Sequence, residues 1–187
     1  MSFPGIPSLD AAVMAFVQTH FHNTVTDTVF PIITSLGEAG IGWIVLSLVL
    51  LCFKKTRRTG GLVLIAMTVT LLFGELTLKN IICRLRPCNV FTDFPMLIAR
   101  PTSYSFPSGH TSSSFAAALI LPLRHKKVGW LAYIPAVLIA FSRIFLFVHY
   151  PTDVLAGILL GTLAALLTYF AAKAIQKRQA EKRTAQI

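Results

Sequence analysis

The sequence predicts an all-α, polytopic membrane bundle of about six spanning helices, on three observations. Hydrophobic residues fill 55% of its 187 positions and charged residues only 13%, where a soluble domain carries roughly a quarter charged; mean hydropathy is +0.70. The apolar residues gather into runs at 40–53, 61–78, 115–123, 128–147 and 154–172. The basic residues, which set a net charge of +10, fall in short clusters between those runs. That charge alone would also suit a nucleic-acid partner. Clusters at the ends of apolar runs instead follow the pattern of membrane loops, so no nucleic acid is expected.

The elements follow in order. Residues 9–20 read as an amphipathic helix capped by Ser8, with Asp10 in its first turn, lying in the interface or making a partial span. Residues 24–36 are mixed and could span with help, as the sixth helix. The five apolar runs come next; several are shorter than the ~20 residues of a straight span, and polar residues at their ends extend them. The charged tail, 173–187, continues the last helix into water. The chain is read as one domain: N-terminal helices over 1–36, a core over 37–172 and the basic tail. No repeat, low-complexity segment or cleavable signal peptide is expected. Cys52, Cys83 and Cys88 are odd in number and imply no disulfide framework; free thiols are expected. Trp43 and Trp130 suit an interfacial aromatic belt, and His20, His22 and His125 read as interfacial residues.

Charge placement gives the sidedness. Lys54, Lys55, Arg57 and Arg58 form one cluster, Arg124 to Lys127 a second, and Lys173, Lys177, Arg178, Lys182 and Arg183 a third. Helices threaded between them put all three on one side, the cytoplasmic one by the positive-inside rule. The segments 80–107 and 149–152 then share the outer face of a cell membrane. That face nonetheless holds Lys79, Arg84, Arg86 and Arg100, with Arg143 near a helix end. Cations that resist the topological bias point to an anionic ligand.

Three polar blocks meet there: KNIICRLRP, with Lys79 and Arg86; FPSGH, with Ser108, Gly109 and His110; and SRIFLFVHYPTD, with Arg143, His149 and Asp153. A guanidinium fork grips two phosphate oxygens and an ammonium adds a point charge, which is most of what phosphoryl transfer needs. The helix opening near His110 offers free N–H groups, Gly109 allows close approach, and His110 can move a proton near neutral pH. Asp153 falls one turn from His149. A carboxylate on one ring nitrogen leaves the other with an exposed lone pair, as a nucleophile requires. Two imidazoles and a carboxylate are also a possible zinc set, which the neighbouring cations oppose. A Ser-His-Asp hydrolase built on Ser108 is formally possible, but acyl transfer has no use for three cations.

K-x6-R-P, P-S-G-H and S-R-x5-H-x3-D, in this order, resemble the three-part signature of the type 2 phosphatidic-acid phosphatase family, which is related to vanadium haloperoxidases. The resemblance runs from Lys79 to Asp153 with no departure inside the motifs; nothing before residue 37 takes part. It implies a six-helix membrane bundle and a lipid phosphate or pyrophosphate substrate, best of all undecaprenyl pyrophosphate. Phosphatidic acid and phosphatidylglycerol phosphate are the rivals. It implies that His149 attacks phosphorus, that Asp153 orients it, and that His110 protonates the leaving oxygen and then activates water. Lys79, Arg86, Arg143, Ser108 and the Gly109 backbone would hold the phosphoryl oxygens, with no metal or other cofactor. Transfer to a second lipid and a non-catalytic lipid or anion carrier are the other readings. Glu75, inside an apolar run and four residues before Lys79, is expected to pair with it, a substrate-side role being the other reading.

Overall fold

A computed structural model describes residues 3–184. Among them the chain is all-helical. Helix α1 spans Ser8–His20 and α2 spans Thr24–Leu36. The Asn23 side chain accepts from the Val25 and Thr26 amides and Thr26 reciprocates, a capping box that fixes the start of α2. Gly40, at φ 70, turns the chain at the end of a short 3₁₀ segment into α3, Ile41–Cys52. That left-handed backbone is what calls for glycine there; an added Cβ would meet only the movable end of the Met67 side chain at close range. Across this break α2 and α3 meet at a bend of 46°.

Helix α4, Arg57–Thr70, runs through a widened π-helical stretch, Leu71–Leu78, into α5, Lys79–Ile82. Cys83 ends it in the left-handed conformation, φ 50. The short α6, Pro87–Val90, opens with its proline at the first position. Three long helices complete the chain: α7, Gly109–Arg124; α8, Tyr133–Phe145; and α9, Pro151–Thr184.

Two stretches, Arg57–Val90 and Pro151–Thr184, are long and apolar enough to cross a membrane, and the bent α2–α3 pair makes a third if taken as one span. Helix α3, at 12 residues, and α8, at 13, fall short of the ~20 residues of a straight span. The surface is that of a membrane protein: Leu72, Phe73, Leu159, Leu163, Leu167 and Phe170 face outward, while Ser47, Thr59, Thr70, Ser114 and Ser142 are buried. The charged tail continues α9 as far as Thr184; the last three residues lie outside those described.

The centre is the α7–α9 packing. Ala116, Ala117 and Ala118 on α7 and Gly157, Gly161, Ala164 and Ala165 on α9 are all buried, and Gly161 lies against the Ala116 backbone. A Cβ on Gly157 would come within 2.7 Å of the Ser108 carbonyl, and one on Gly161 would strike that of Ser112. The backbones touch directly, as small-residue membrane interfaces do. At the far end Thr59 Oγ1 and His125 Nε2, 2.9 Å apart, join the start of α4 to the end of α7, so two basic clusters do lie together.

Several local expectations need correction. Helix α1 begins after Pro7 with no side-chain cap, and Asp10 is fully buried rather than a solvent-side helix-end anion. Trp43 is not interfacial: it is buried, and its Nε1 donates to Ser114 Oγ at 2.9 Å, because a buried indole N–H needs an acceptor. Trp130 is exposed. His22 stacks on Phe145 at 4.1 Å and bonds to Gln18 and Asp27, so it packs α1 and α2 onto α8. Cys52, Cys83 and Cys88 are free thiols.

Candidate active site

The turn between α8 and α9 carries His149 into the interior. Helix α8 ends at Phe145; the amides of Val148 and His149 both donate back to the Arg143 carbonyl at 3.2 Å. Phe147 takes a left-handed conformation, φ 59, and stacks on Phe94 at 3.9 Å. A non-glycine residue in that conformation is held by its surroundings, and here the aromatic packing holds it. Pro151 then starts α9, and one turn on from His149 comes Asp153.

Asp153 is fully buried and saturated with donors. Its Oδ2 accepts from Ser105 Oγ at 2.5 Å and the Tyr150 amide at 2.9 Å, and lies 3.5 Å from His149 Nδ1. Its Oδ1 accepts from Arg84 Nη1 at 2.6 Å. On the other side of the ring, Arg86 Nη1 lies 2.9 Å from His149 Nε2. A guanidinium only donates, so Nε2 is the acceptor and the ring proton belongs on Nδ1, facing the acid. Burial, with Arg86 and Arg143 beside it, holds the His149 imidazole well below its usual 6.5, so the ring is neutral.

Arg86 is itself fixed, donating to the Ser103 and Val148 carbonyls at 2.7 and 2.9 Å and to Ser103 Oγ at 3.0 Å. Arg143 is 4% exposed; its Nη1 donates to Thr34 Oγ1 on α2, and its Nε has no partner. His110 Nε2 is likewise buried and unpartnered. Lys79 Nζ binds both oxygens of Glu75, at 2.7 and 2.6 Å, as the i,i+4 spacing predicts.

Lys79, Arg86, Gly109, His110, Arg143 and His149 line one cavity of about 1240 Å³. Its polar end is this cluster; its walls carry Ile44, Leu64, Met67 and Leu71 from α3, α4 and the π-helical stretch. An anionic headgroup with a long apolar chain fits that division. Asp153 lies behind His149. Ser108 stands back from the cavity as well: its amide donates to the Asp153 carbonyl at 3.1 Å, and its hydroxyl accepts from Thr111 at 2.9 Å. Among the described residues no group of three or more His, Cys, Asp or Glu side chains is placed to hold a metal.

Two of the misplaced cations bind the protein itself. Arg100 donates to the carbonyls of Cys88, Thr92 and Phe94 and ties the 88–100 loop. Arg84 bridges Asp153 to Asp10 Oδ2, the latter at 2.7 Å, and lies 3.8 Å over the Tyr150 ring. Asp10 also accepts from the Thr152 amide and hydroxyl at 2.9 and 2.8 Å. Arg84, Asp10, Ser103, Ser105 and Thr34 are supporting residues that the motif reading passed over. Ser105 had one available signal, its place immediately before FPSGH.

The sequence profile of the PAP2 superfamily matches residues 59–177. The undecaprenyl-diphosphatase of Sulfolobus acidocaldarius is 39% identical over 67% of this chain and 61% of its own length. The undecaprenyl-diphosphatase BcrC of Bacillus subtilis is 31% identical over 79% of this chain and 76% of its own. Among solved structures, a transmembrane PAP2-type phosphatidylglycerolphosphate phosphatase from Bacillus subtilis superposes with a TM-score of 0.73 at 30% identity, covering 92% of this chain and 89% of that one. The class is therefore that of membrane phosphatases, hydrolases of phosphoric esters. Within it, the chain belongs to the PAP2 superfamily.

Proposed function

We propose that this chain is an integral lipid phosphatase of the cell membrane that removes phosphate from a polyprenyl pyrophosphate of the undecaprenyl type through a phosphohistidine on His149. One observation carries the mechanism: a neutral imidazole, backed at Nδ1 by Asp153 and Ser105, turns Nε2 toward a cavity lined by Lys79, Arg86 and Arg143. The phosphoryl oxygens bind those cations, the free amides opening α7 at Gly109, and Ser108 once its hydroxyl turns from Thr111. As the phosphoryl oxygens draw the Arg86 guanidinium off Nε2, Nε2 attacks phosphorus while the bond to the leaving oxygen breaks, and protonated His110 gives that oxygen its proton. A water then yields its proton to His110, attacks the phosphohistidine and releases orthophosphate as the P–N bond breaks. Asp153 stabilises the positive charge that the ring acquires. The scheme uses no metal.

We place the whole of 1–187 in one catalytic unit of about six membrane helices: α1 as a partial span, the bent α2–α3 pair as one span, then α4 with its continuation, α7, α8 and α9. The site opens to the extracytoplasmic face, opposite the basic clusters. The relatives named undecaprenyl-diphosphatase support the polyprenyl substrate. The solved phosphatase superposed above keeps phosphatidylglycerol phosphate as the second reading.

The test is a panel of purified lipid phosphates and pyrophosphates, assayed for free phosphate with wild type and His149→Ala in excess EDTA. The expected result is fastest turnover of the polyprenyl pyrophosphate, unaffected by chelator, and at least a ~10³-fold loss in the variant. Turnover that EDTA abolishes and zinc restores would overturn the mechanism. Orthophosphate-free transfer to a second lipid would overturn hydrolysis.

A further inference from the structure

Glu75 does more in this geometry than neutralise a lysine at membrane depth. Its carboxylate lies against the first residue of α7: a Cβ on Gly109 would overlap Glu75 Oε1. Both its oxygens are held by Lys79 Nζ. It lines the same cavity as His110, Arg143 and His149. An anion of two oxygens therefore sits between the Lys79 ammonium and the opening of α7, in the place where the proposed reaction needs phosphoryl oxygens. The rest of the cluster waits without such a partner: His110 Nε2 and Arg143 Nε are buried and unbonded. The Glu75 side chain is 32% exposed while that of Lys79 is 7% exposed, so the carboxylate is the partner with room to leave.

We propose that Glu75 is a built-in competitor for the phosphate subsite. It occupies Lys79 and the mouth of α7 until the phosphate of a substrate displaces it, and it returns to Lys79 as orthophosphate departs. This reading rests on the proposed function for the identity of the ligand. It differs from a simple structural ion pair in the sign of one effect. A competitor weakens anion binding, so its removal tightens it. A residue that holds Lys79 in position strengthens anion binding, so its removal loosens it.

Titration of the detergent-solubilised full chain with inorganic phosphate reads that sign directly and needs no turnover. In Glu75→Gln the dissociation constant for orthophosphate should fall about tenfold, because a charge-assisted bond no longer has to be broken. Glu75→Ala should move it the same way, and serves if the glutamine variant does not fold. With lipid substrate, the same variants should show a lower KM and stronger inhibition by orthophosphate. An unchanged or higher dissociation constant in a folded variant overturns the proposal. Failure of the wild type to release phosphate from any lipid would instead overturn the proposed function, so the two failures are distinguishable.

Discussion

His149 is neutral because the fold makes it so, and this has a measurable consequence. Burial, together with Arg86 and Arg143, holds its proton affinity well below the ordinary 6.5. In the unfolded chain the same imidazole takes up a proton near pH 6.5. Below that value the unfolded state binds the extra proton, so acid favours unfolding. The contribution is fully present above about pH 6.5 and is lost as pH falls toward the folded value, at up to ~1.4 kcal/mol per pH unit. The thermal midpoint of the wild type should therefore drop further between about pH 7.5 and about pH 5 than that of His149→Gln. Parallel slopes would show that the ring is protonated in the folded protein. Within the candidate site, two pairs were legible because their spacing is local: His149 and Asp153 are four apart, and Lys79 and Glu75 likewise. Asp10 was not. Its partners Arg84 and Thr152 lie 74 and 142 positions away, and in sequence an acid in a first helical turn reads as a dipole partner. Thr34, the support of Arg143 across 109 positions, gave no local sign either.

At the scale of elements, hydrophobic runs located α3, α4, α7, α8 and α9, since a run bounded by charge or proline marks a helix wherever it packs. The π-helical widening at Leu71–Leu78 left no such mark, because one extra residue in a turn does not alter an already unbroken apolar run. Nor did the burial of Trp43, which depends on Ser114 of another helix. The most constrained pairing is α7 on α9. Gly157 and Gly161 let the α9 backbone approach the carbonyls of Ser108 and Ser112, and this contact also sets Asp153 beside Ser108. Gly161→Val must push the helices apart or bend them. A cost of about 3 kcal/mol or more is expected, since the obstacle is backbone rather than a movable side chain. It would be seen as a lowered thermal midpoint in detergent, with phosphatase activity lost alongside. Gly61, where a Cβ meets nothing within 4 Å, is the control: Gly61→Ala should leave both unchanged. A Gly161 variant as stable as that control would mean that α7 and α9 are not in backbone contact.

At the scale of the whole molecule, the question is which way the bundle faces. Cys52 ends α3 beside Lys54 and Lys55, and Cys83 ends α5 beside Arg84, whose carbonyl accepts from the Ser105 amide at the candidate site. Both thiols are exposed and free, whereas Cys88 is buried. Nature has thus placed one accessible cysteine near each end of the bundle. In the proposed orientation the Cys52 end, with its basic clusters, faces the cytoplasm. A membrane-impermeant maleimide applied to intact cells should then label Cys83 and spare Cys52, with Cys52 reacting only after permeabilisation. Cys83→Ser should abolish labelling of intact cells, and Cys52→Ser should not change it. Labelling of Cys52 alone would invert the orientation and put phosphate release on the cytoplasmic side. Labelling of both in intact cells would mean that the two ends are not separated by the bilayer, and with that the assignment of the cavity to one membrane face would fall.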